Sequence, residues 1–116
     1  MDNVQRLTDS AIIAYQQGRQ DEAITLFERA AELANNAESW CNLGSALCDY
    51  GLFTAAYNAL IKAQALAPNH ILIEFSLARA SKGLGQLSDS FSYINKAIVI
   101  KLINKNLYEK NKENIK

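Results

Sequence analysis

Two cysteines and one histidine are the side chains of this sequence best suited to thiol or metal chemistry. Cys41 and Cys48 are seven residues apart, and on a helix that spacing separates their Cα atoms by roughly 10 Å, which is beyond disulfide reach. A metal site needs further ligands, and neither a Cys-x-x-Cys motif nor a second histidine accompanies His70. A catalytic thiol needs a neighbouring base. We therefore expect no metal site, and two cysteines that pack or lie on the surface.

Other residues that resemble catalytic motifs have structural explanations. The glycine-containing segment 83–85 follows no predicted strand, so a turn between helices explains it better than a phosphate-binding loop. Asp21 and Glu22 fall in a predicted first helical turn, where the helix dipole favours acidic side chains. His70 is expected to be a loop residue with a capping role. No catalytic constellation remains, so the sequence predicts a protein that is not an enzyme and needs no cofactor.

Length and composition are typical of one small globular domain. The chain has 116 residues, of which 49% are hydrophobic and 21% charged. Its apolar stretches are far shorter than the roughly 20 residues of a membrane helix, so we expect no membrane segment. Residues 1–10 lack the apolar core of a secretion signal, which predicts a cytoplasmic location. The net charge of zero argues against a nucleic-acid partner.

The charge is distributed unevenly along the chain. Residues 1–60 carry eight acidic and three basic side chains, for a net charge of −5, whereas residues 61–116 carry four acidic and nine basic ones, for +5. Two interpretations of this asymmetry stay open. It is either ordinary variation in solvated surface charge, or it indicates a head-to-tail association or an acidic partner at the C-terminal end.

Four sets of residues recur at intervals of 33 or 34 positions. A repeat of this length is typical of stacked helix pairs. The glycines are expected to end the first helix of each pair, while the alternating small and large residues let paired helices approach and fill the space beside them. The sets are Gly18, Gly51 and Gly85; Ala23, Ala56 and Ser90; Phe27, Leu60 and Ile94; and Ala30, Ala63 and Ala97.

Apolar residues at helical spacing predict six helices and no sheet. The predicted helices cover residues 4–17, 20–34, 37–50, 53–67 and 71–82, and a sixth begins at residue 86. Two alternatives stay open for the C-terminal segment. The sixth helix either continues without interruption, or Asn104 or Asn106 caps a short separate helix that covers the third pair.

The middle unit, residues 37–70, resembles a tetratricopeptide repeat. Its first and second helices carry Trp40, Leu43, Gly44 and Leu47, then Ala56, Leu60, Ala63 and Pro68, with Leu47 and Leu60 replacing the usual tyrosine and phenylalanine. Residues 4–36 and 71–104 keep the phase of the motif, but the third unit has Glu74 at the tryptophan position and Leu102 at the proline position. The resemblance implies one all-α domain over residues 1–116, a right-handed α-solenoid of three antiparallel helix pairs with a C-terminal helical extension or cap at residues 105–116.

The resemblance also implies a concave groove lined by the first helices. Tyr15 and Phe75 would be its apolar anchors, and Arg79 and Lys82 a basic end that suits an acidic group, although Phe75 has a second interpretation as a packing residue, as does Ile12. The residues at the ligand-facing positions are Thr8, Ile12, Tyr15, Cys41, Asn42, Ser45, Cys48, Phe75, Arg79 and Lys82.

Some members of the family hold the C-terminal carboxylates of Hsp70 and Hsp90 with a clamp of lysines, asparagines and an arginine. Asn42 matches one clamp position, but Thr8, Ile12, Leu72 and Ser76 stand at the others. We therefore expect no binding of these chaperone tails.

The sequence thus predicts a non-enzymatic adaptor or scaffold that binds a protein or peptide of unknown identity in the groove. The alternative is a self-associating structural or assembly subunit, a homo-oligomer that uses the uneven charge and the basic C-terminal helix. In a third interpretation the repeats recruit or regulate an enzyme encoded elsewhere.

Overall fold

Six α-helices joined by short turns form the fold in the computed structural model, which describes residues 2–115. The helices are α1 (Asn3–Gln16), α2 (Gln20–Ala34), α3 (Ala37–Asp49), α4 (Phe53–Leu66), α5 (Ile71–Gly83) and α6 (Leu87–Ile115). The predicted starts and ends agree with these bounds to within one residue. Residues 2–115 contain no strand, so the prediction of an all-α fold is confirmed. Met1 and Lys116, which the predicted domain includes, lie outside the described residues.

The helices pack as consecutive pairs. α1 packs on α2, α3 on α4 and α5 on α6, while α2 with α3 and α4 with α5 join one pair to the next. The first helices of the second and third pairs, α3 and α5, also touch. Each pair therefore contacts its neighbours in sequence, and the molecule is an elongated stack of 50 × 40 × 24 Å.

The turn inside each pair has the same geometry. Gly18, Gly51 and Gly85 have φ angles of 75°, 77° and 77°, in the left-handed region that favours glycine. In the second pair the Gly51 N–H donates to the Cys48 carbonyl at 3.0 Å, and the next N–H donates to the carbonyl of Leu47 at 2.9 Å. This common requirement explains why a glycine recurs with the period of the repeat.

The break between the first two pairs depends on two asparagines. Asn35 ends α2 in the left-handed conformation, with φ of 45°, and the Asn36 side chain caps α3 by accepting a 2.8 Å hydrogen bond from the Ser39 N–H. His70 stands at the corresponding position before α5, but its side chain makes no capping hydrogen bond. The predicted capping role of His70 is therefore wrong for its side chain.

Small and large residues interlock between the helices of a pair. Ala56 and Leu60 on α4 are fully buried, and Gly44 on α3 lies so close to Leu60 that a Cβ atom there would come within 2.5 Å of the Leu60 Cγ. The predicted packing of small against large residues is observed here.

The third pair replaces an aromatic contact with an ion pair. In the second pair the Lys62 ammonium group lies 4.4 Å from the centre of the Trp40 ring. At the positions 34 residues later, the fully buried Glu74 accepts from Lys96 at 3.1 Å, and the Gln64 side chain donates to the same carboxylate at 3.1 Å. A buried carboxylate thus occupies the tryptophan position, and a cation from the second helix approaches it in both pairs.

The last helix is longer than the others. α6 has 29 residues and runs through Asn104 and Asn106 without a break, so the continuous helix is observed rather than a separate capping helix. Side chains 101–114 are exposed. Within residues 2–115, no helix combines the length and the apolar character needed to cross a membrane.

Candidate binding groove

The three first helices lie side by side and present one continuous surface. All ten predicted binding residues are on these helices, α1, α3 and α5. Side chains of Tyr15 on α1, Asp49 on α3 and Arg79 on α5 bond to one another across this surface. Two cavities open between the helices, one on each side of α3.

The first cavity lies between α1 and α3 and has a volume of about 350 Å³; we call it the N-terminal pocket. Phe27 of α2 contributes to its lining, and the ring of Tyr15 packs against that of Tyr50 with centroids 5.8 Å apart. Half of its lining was predicted from the sequence. The lining residues are Ile12, Tyr15, Gln16, Phe27, Asn42, Ser45, Ala46 and Asp49.

The second cavity lies where the N-terminal turns of α3 and α5 meet and has a volume of about 660 Å³; we call it the central pocket. Cys41 and Asn42 are its predicted members, and Asn42 lines both pockets. The lining residues are Asn36, Ala37, Glu38, Cys41, Asn42, His70, Leu72 and Ile73. The shared asparagine makes the two pockets neighbours on one groove.

A polar bridge of Tyr15, Asp49 and Arg79 crosses the groove at the C-terminal ends of these helices. The Tyr15 hydroxyl donates to one Asp49 carboxylate oxygen at 2.5 Å, and the Arg79 guanidinium contacts the other at 2.6 Å. Partial burial acts to raise the pKa of Asp49, but the hydrogen bonds from Tyr15 and Arg79 outweigh it and hold that pKa below its ordinary value. The same hydrogen bond, with the negative charge of Asp49, raises the pKa of Tyr15.

The bridge corrects the predicted basic end of the groove. Arg79 is paired with Asp49 and is therefore not a free cation for an acidic ligand. Lys82 is exposed, and it forms no ion pair with any residue that the structure describes. The electrostatic attraction for an acidic group is accordingly weaker than the sequence indicated.

Two other predicted residues do not present their side chains as expected. Cys48 is only 3% exposed and belongs to the hydrophobic core, because it lies on the side of α3 that packs against the neighbouring helices. Thr8 directs its hydroxyl to the Val4 carbonyl of its own helix at 2.8 Å. Cys48 is therefore a core residue, and its assignment as a binding residue is corrected.

The structure also shows the surroundings of the two cysteines and the exposure of Ile12 and Phe75, for which the sequence left open a packing role. Cys41 and Cys48 are free thiols, and burial raises the pKa of both, which disfavours the reactive thiolate. Ile12 is 41% exposed and Phe75 45%. Both are therefore surface residues of the first helices rather than packing residues.

Asp49 is a groove residue that was not predicted from the sequence, although it holds the polar bridge together. Asp49 is at the thirteenth position of its repeat, and the thirteenth is not a ligand-facing position of the family. The available signal was its separation of 34 residues from Tyr15. This is one repeat period, which brings side chains at the ends of adjacent first helices together.

Residues 2–115 contain no group of three or more His, Cys, Asp or Glu side chains arranged to hold a metal ion. The groove offers apolar pockets and hydrogen-bonding groups, which suits it to binding.

Comparisons with known proteins agree with this architecture. A family model described as tetratricopeptide repeat matches residues 6–36 and 37–70, more than half of the chain. Among solved structures, MamA AMB-1 is 26% identical with a TM-score of 0.77, over 86% of this chain and 55% of that one. Another MamA structure has a TM-score of 0.80 at 20% identity, over 89% of this chain and 57% of that one.

A plant structure shares the fold at lower identity. The Arabidopsis OM64 TPR domain is 18% identical with a TM-score of 0.76, over 84% of this chain and 81% of that domain. The chain spans little more than half the length of these two MamA structures. A search of curated protein sequences found no match.

Proposed function

Since the chain belongs to the tetratricopeptide repeat family, whose members are protein-interaction modules, we propose that it is a non-enzymatic adaptor that binds a peptide segment of a partner in the groove of α1, α3 and α5. The observation that carries the proposal is the pair of adjoining pockets, which share Asn42 and are lined by residues of the first helices. Such concave, partly apolar sites with a few polar groups suit side chains of an extended or helical segment.

The lining of the groove indicates the chemistry of the partner segment. Ile12 and Tyr15 give the N-terminal pocket apolar walls, and Leu72 does so for the central pocket. Asn42, between them, has an amide that can both donate to and accept from a peptide backbone. We infer that the partner segment is largely apolar and that it places one side chain in each of the two pockets. An acidic group in it would meet Lys82, or would compete with Asp49 for Arg79.

Paired substitutions test the groove. Ile12→Glu and Phe75→Glu place a charge on the groove, whereas Ile61→Glu places one on the exposed side of α4. After circular dichroism has shown that each variant folds, affinity purification with mass spectrometry identifies partners, and titration with the purified partner measures affinity. We expect wild type and Ile61→Glu to bind equally, and the groove variants to bind at least tenfold more weakly. Equal binding by all four chains would refute the groove.

The remaining predictions from the sequence are part of the proposal. Cytoplasmic location is tested by cell fractionation, and the recruitment of an enzyme by the identity of the partners recovered. Self-association remains the alternative function, and the exposed apolar side chains of α6 support it.

A further inference from the structure

Three side chains of α4 join the second helix pair to the third. The ring of Phe53 lies against Gly83 so closely that there is no room for a Cβ atom. The Tyr57 hydroxyl is hydrogen-bonded to that of Tyr93 at 2.8 Å. Gln64 donates to the buried Glu74 at 3.1 Å. The face of α4 that carries Phe53, Tyr57 and Gln64 is therefore the one on which the next helix pair packs.

The corresponding face of α6 is apolar and uncovered. The residues 34 positions after Phe53, Tyr57 and Gln64 are Leu87, Phe91 and Ile98, and they are 56%, 64% and 47% exposed. Leu102, one turn further along the same face, is 55% exposed. We call these four residues the end face. Water-exposed apolar side chains clustered on one face mark an interaction surface.

The opposite end of the stack is more polar. Arg6 and Ser10 on α1 are exposed at positions where the third pair buries Ile73 and Leu77, although Ile13 beside them is 49% exposed. Terminal repeats commonly carry a polar outer face of this kind. The N-terminal end is therefore less able to cover an apolar stripe than a second end face is.

We propose that the end face is a self-association surface, on which two copies of the chain pair through antiparallel α6 helices. The spacing carries this proposal: Leu87, Phe91, Ile98 and Leu102 are separated by four, seven and four residues, so the stripe reads the same in both directions. A two-fold axis beside residues 94 and 95 brings Leu87 against Leu102 and Phe91 against Ile98, each contact occurring twice. Such self-complementarity is what a two-fold interface requires.

The charges around the stripe favour the antiparallel arrangement. Between residues 87 and 102 the charged residues are Asp89, Lys96 and Lys101, and Lys96 is paired with Glu74. Lys105 and the later lysines lie beyond the stripe. In an antiparallel pair these segments leave the interface at opposite ends, whereas a parallel pair would bring them together.

The surface is small for a protein–protein interface. Covering the four side chains in both copies removes on the order of 1,000 Å² from water, which is the size of weak, transient interfaces. We therefore expect a reversible dimer that dissociates in the micromolar range. The end face contains no groove residue, so this proposal stands or fails separately from the groove.

Sedimentation velocity of the full chain, from about 1 to about 100 µM, tests the association. Wild type is expected to shift from monomer to dimer with concentration, and Phe91→Glu to raise the dissociation constant at least tenfold. Ile13→Glu is the matched control, since it adds the same charge to an exposed residue at the opposite end. Circular dichroism establishes that both variants fold.

Three outcomes of this experiment would overturn the proposal. If the wild type is a monomer at every concentration, the end face does not mediate self-association and is covered by another protein or by another segment of polypeptide. A dimer unaffected by Phe91→Glu would use another surface. A dimer lost equally in Ile13→Glu would be a head-to-tail association.

Cross-linking tests the antiparallel arrangement, in a chain whose Cys41 is replaced by serine. Asn95→Cys lies near the proposed axis and is expected to cross-link to its own copy through a short bismaleimide. Leu87→Cys is not, because its counterpart lies about 22 Å away along the helix. Leu87→Cys mixed with Leu102→Cys is expected to give the mixed dimer. Self-cross-linking of Leu87→Cys would indicate parallel helices and contradict the proposal.

Discussion

Replacing Lys96 with methionine is expected to destabilise the fold by about 2–3 kcal/mol, because it leaves a buried carboxylate without a countercharge. Glu74 is fully buried, and the Lys96 ammonium group lies 3.1 Å from it. Removing one partner of a buried ion pair costs about 3–5 kcal/mol. We lower that range because the Lys96 side chain is 40% exposed, so that water screens part of the interaction. The hydrogen bond from Gln64 remains in the variant.

Two further variants separate the missing countercharge from other effects of the substitution. Glu74→Leu combined with Lys96→Met removes both charges, and we expect it to recover most of the loss, since apolar replacement of a whole buried pair is often neutral. Lys62→Met is the matched control, because Lys62 approaches an aromatic ring at the same position of the second repeat. It is expected to lose only about 0.5–1 kcal/mol.

Urea denaturation followed by far-ultraviolet circular dichroism measures these differences in the free energy of unfolding. A countercharge role for Lys96 is refuted if Lys96→Met costs no more than Lys62→Met, or if the double variant is as unstable as Lys96→Met alone. The first result would mean that the carboxylate of Glu74 does not depend on the cation beside it. The second would mean that the loss comes from another contact of Lys96, such as its 3.0 Å hydrogen bond to the Pro68 carbonyl.

Two more predictions concern the core and the polar bridge. Leu60→Ala should lower the free energy of unfolding by about 2–5 kcal/mol, because it leaves a cavity against Gly44, whereas Ile61→Ala on the exposed side of α4 should cost under about 1 kcal/mol; similar losses in urea denaturation would contradict this. Because the folded-state pKa of Asp49 is lowered, its carboxylate stabilises the fold above the ordinary value of 3.8 and that contribution is lost as the pH falls below it. The difference in stability between wild type and Asp49→Asn should therefore be largest near neutral pH and vanish in acid, and ultraviolet titration of Asp49→Asn should show a lower pKa for Tyr15 than in wild type. A difference that persists unchanged below that pH would contradict the assignment.

The helices and their turns could be predicted because they depend on local requirements that repeat. A glycine is needed wherever the chain takes a positive φ, and Gly18, Gly51 and Gly85 mark those points in the sequence. Periodic apolar residues determine which face of each helix is buried. The end of the last helix cannot be predicted in the same way, because no glycine or proline after Gly85 signals a stop.

The groove was predicted less well, because its side chains depend on neighbours from other repeats. Arg79 looks like a free cation in the sequence, but it is paired with Asp49 of the preceding repeat. Cys48 occupies a ligand-facing position of the family, yet helices on both sides bury it. Similarly, Glu74 is tolerated in the core because Lys96 and Gln64 come from two different helices. Such pairings depend on three-dimensional placement, which a single sequence does not display.

The polar bridge has a consequence for the elasticity of the stack. One of its two bonds joins the first repeat to the second, and the other joins the second to the third, so both span the hinges about which a solenoid changes its curvature. Widening the groove to admit a bulky partner would stretch both bonds at once and leave Asp49 to water. The two bonds of Asp49 thus resist a change in the curvature of the stack. Asp49→Ala should make the stack more flexible, with faster amide hydrogen exchange at the ends of α1, α3 and α5.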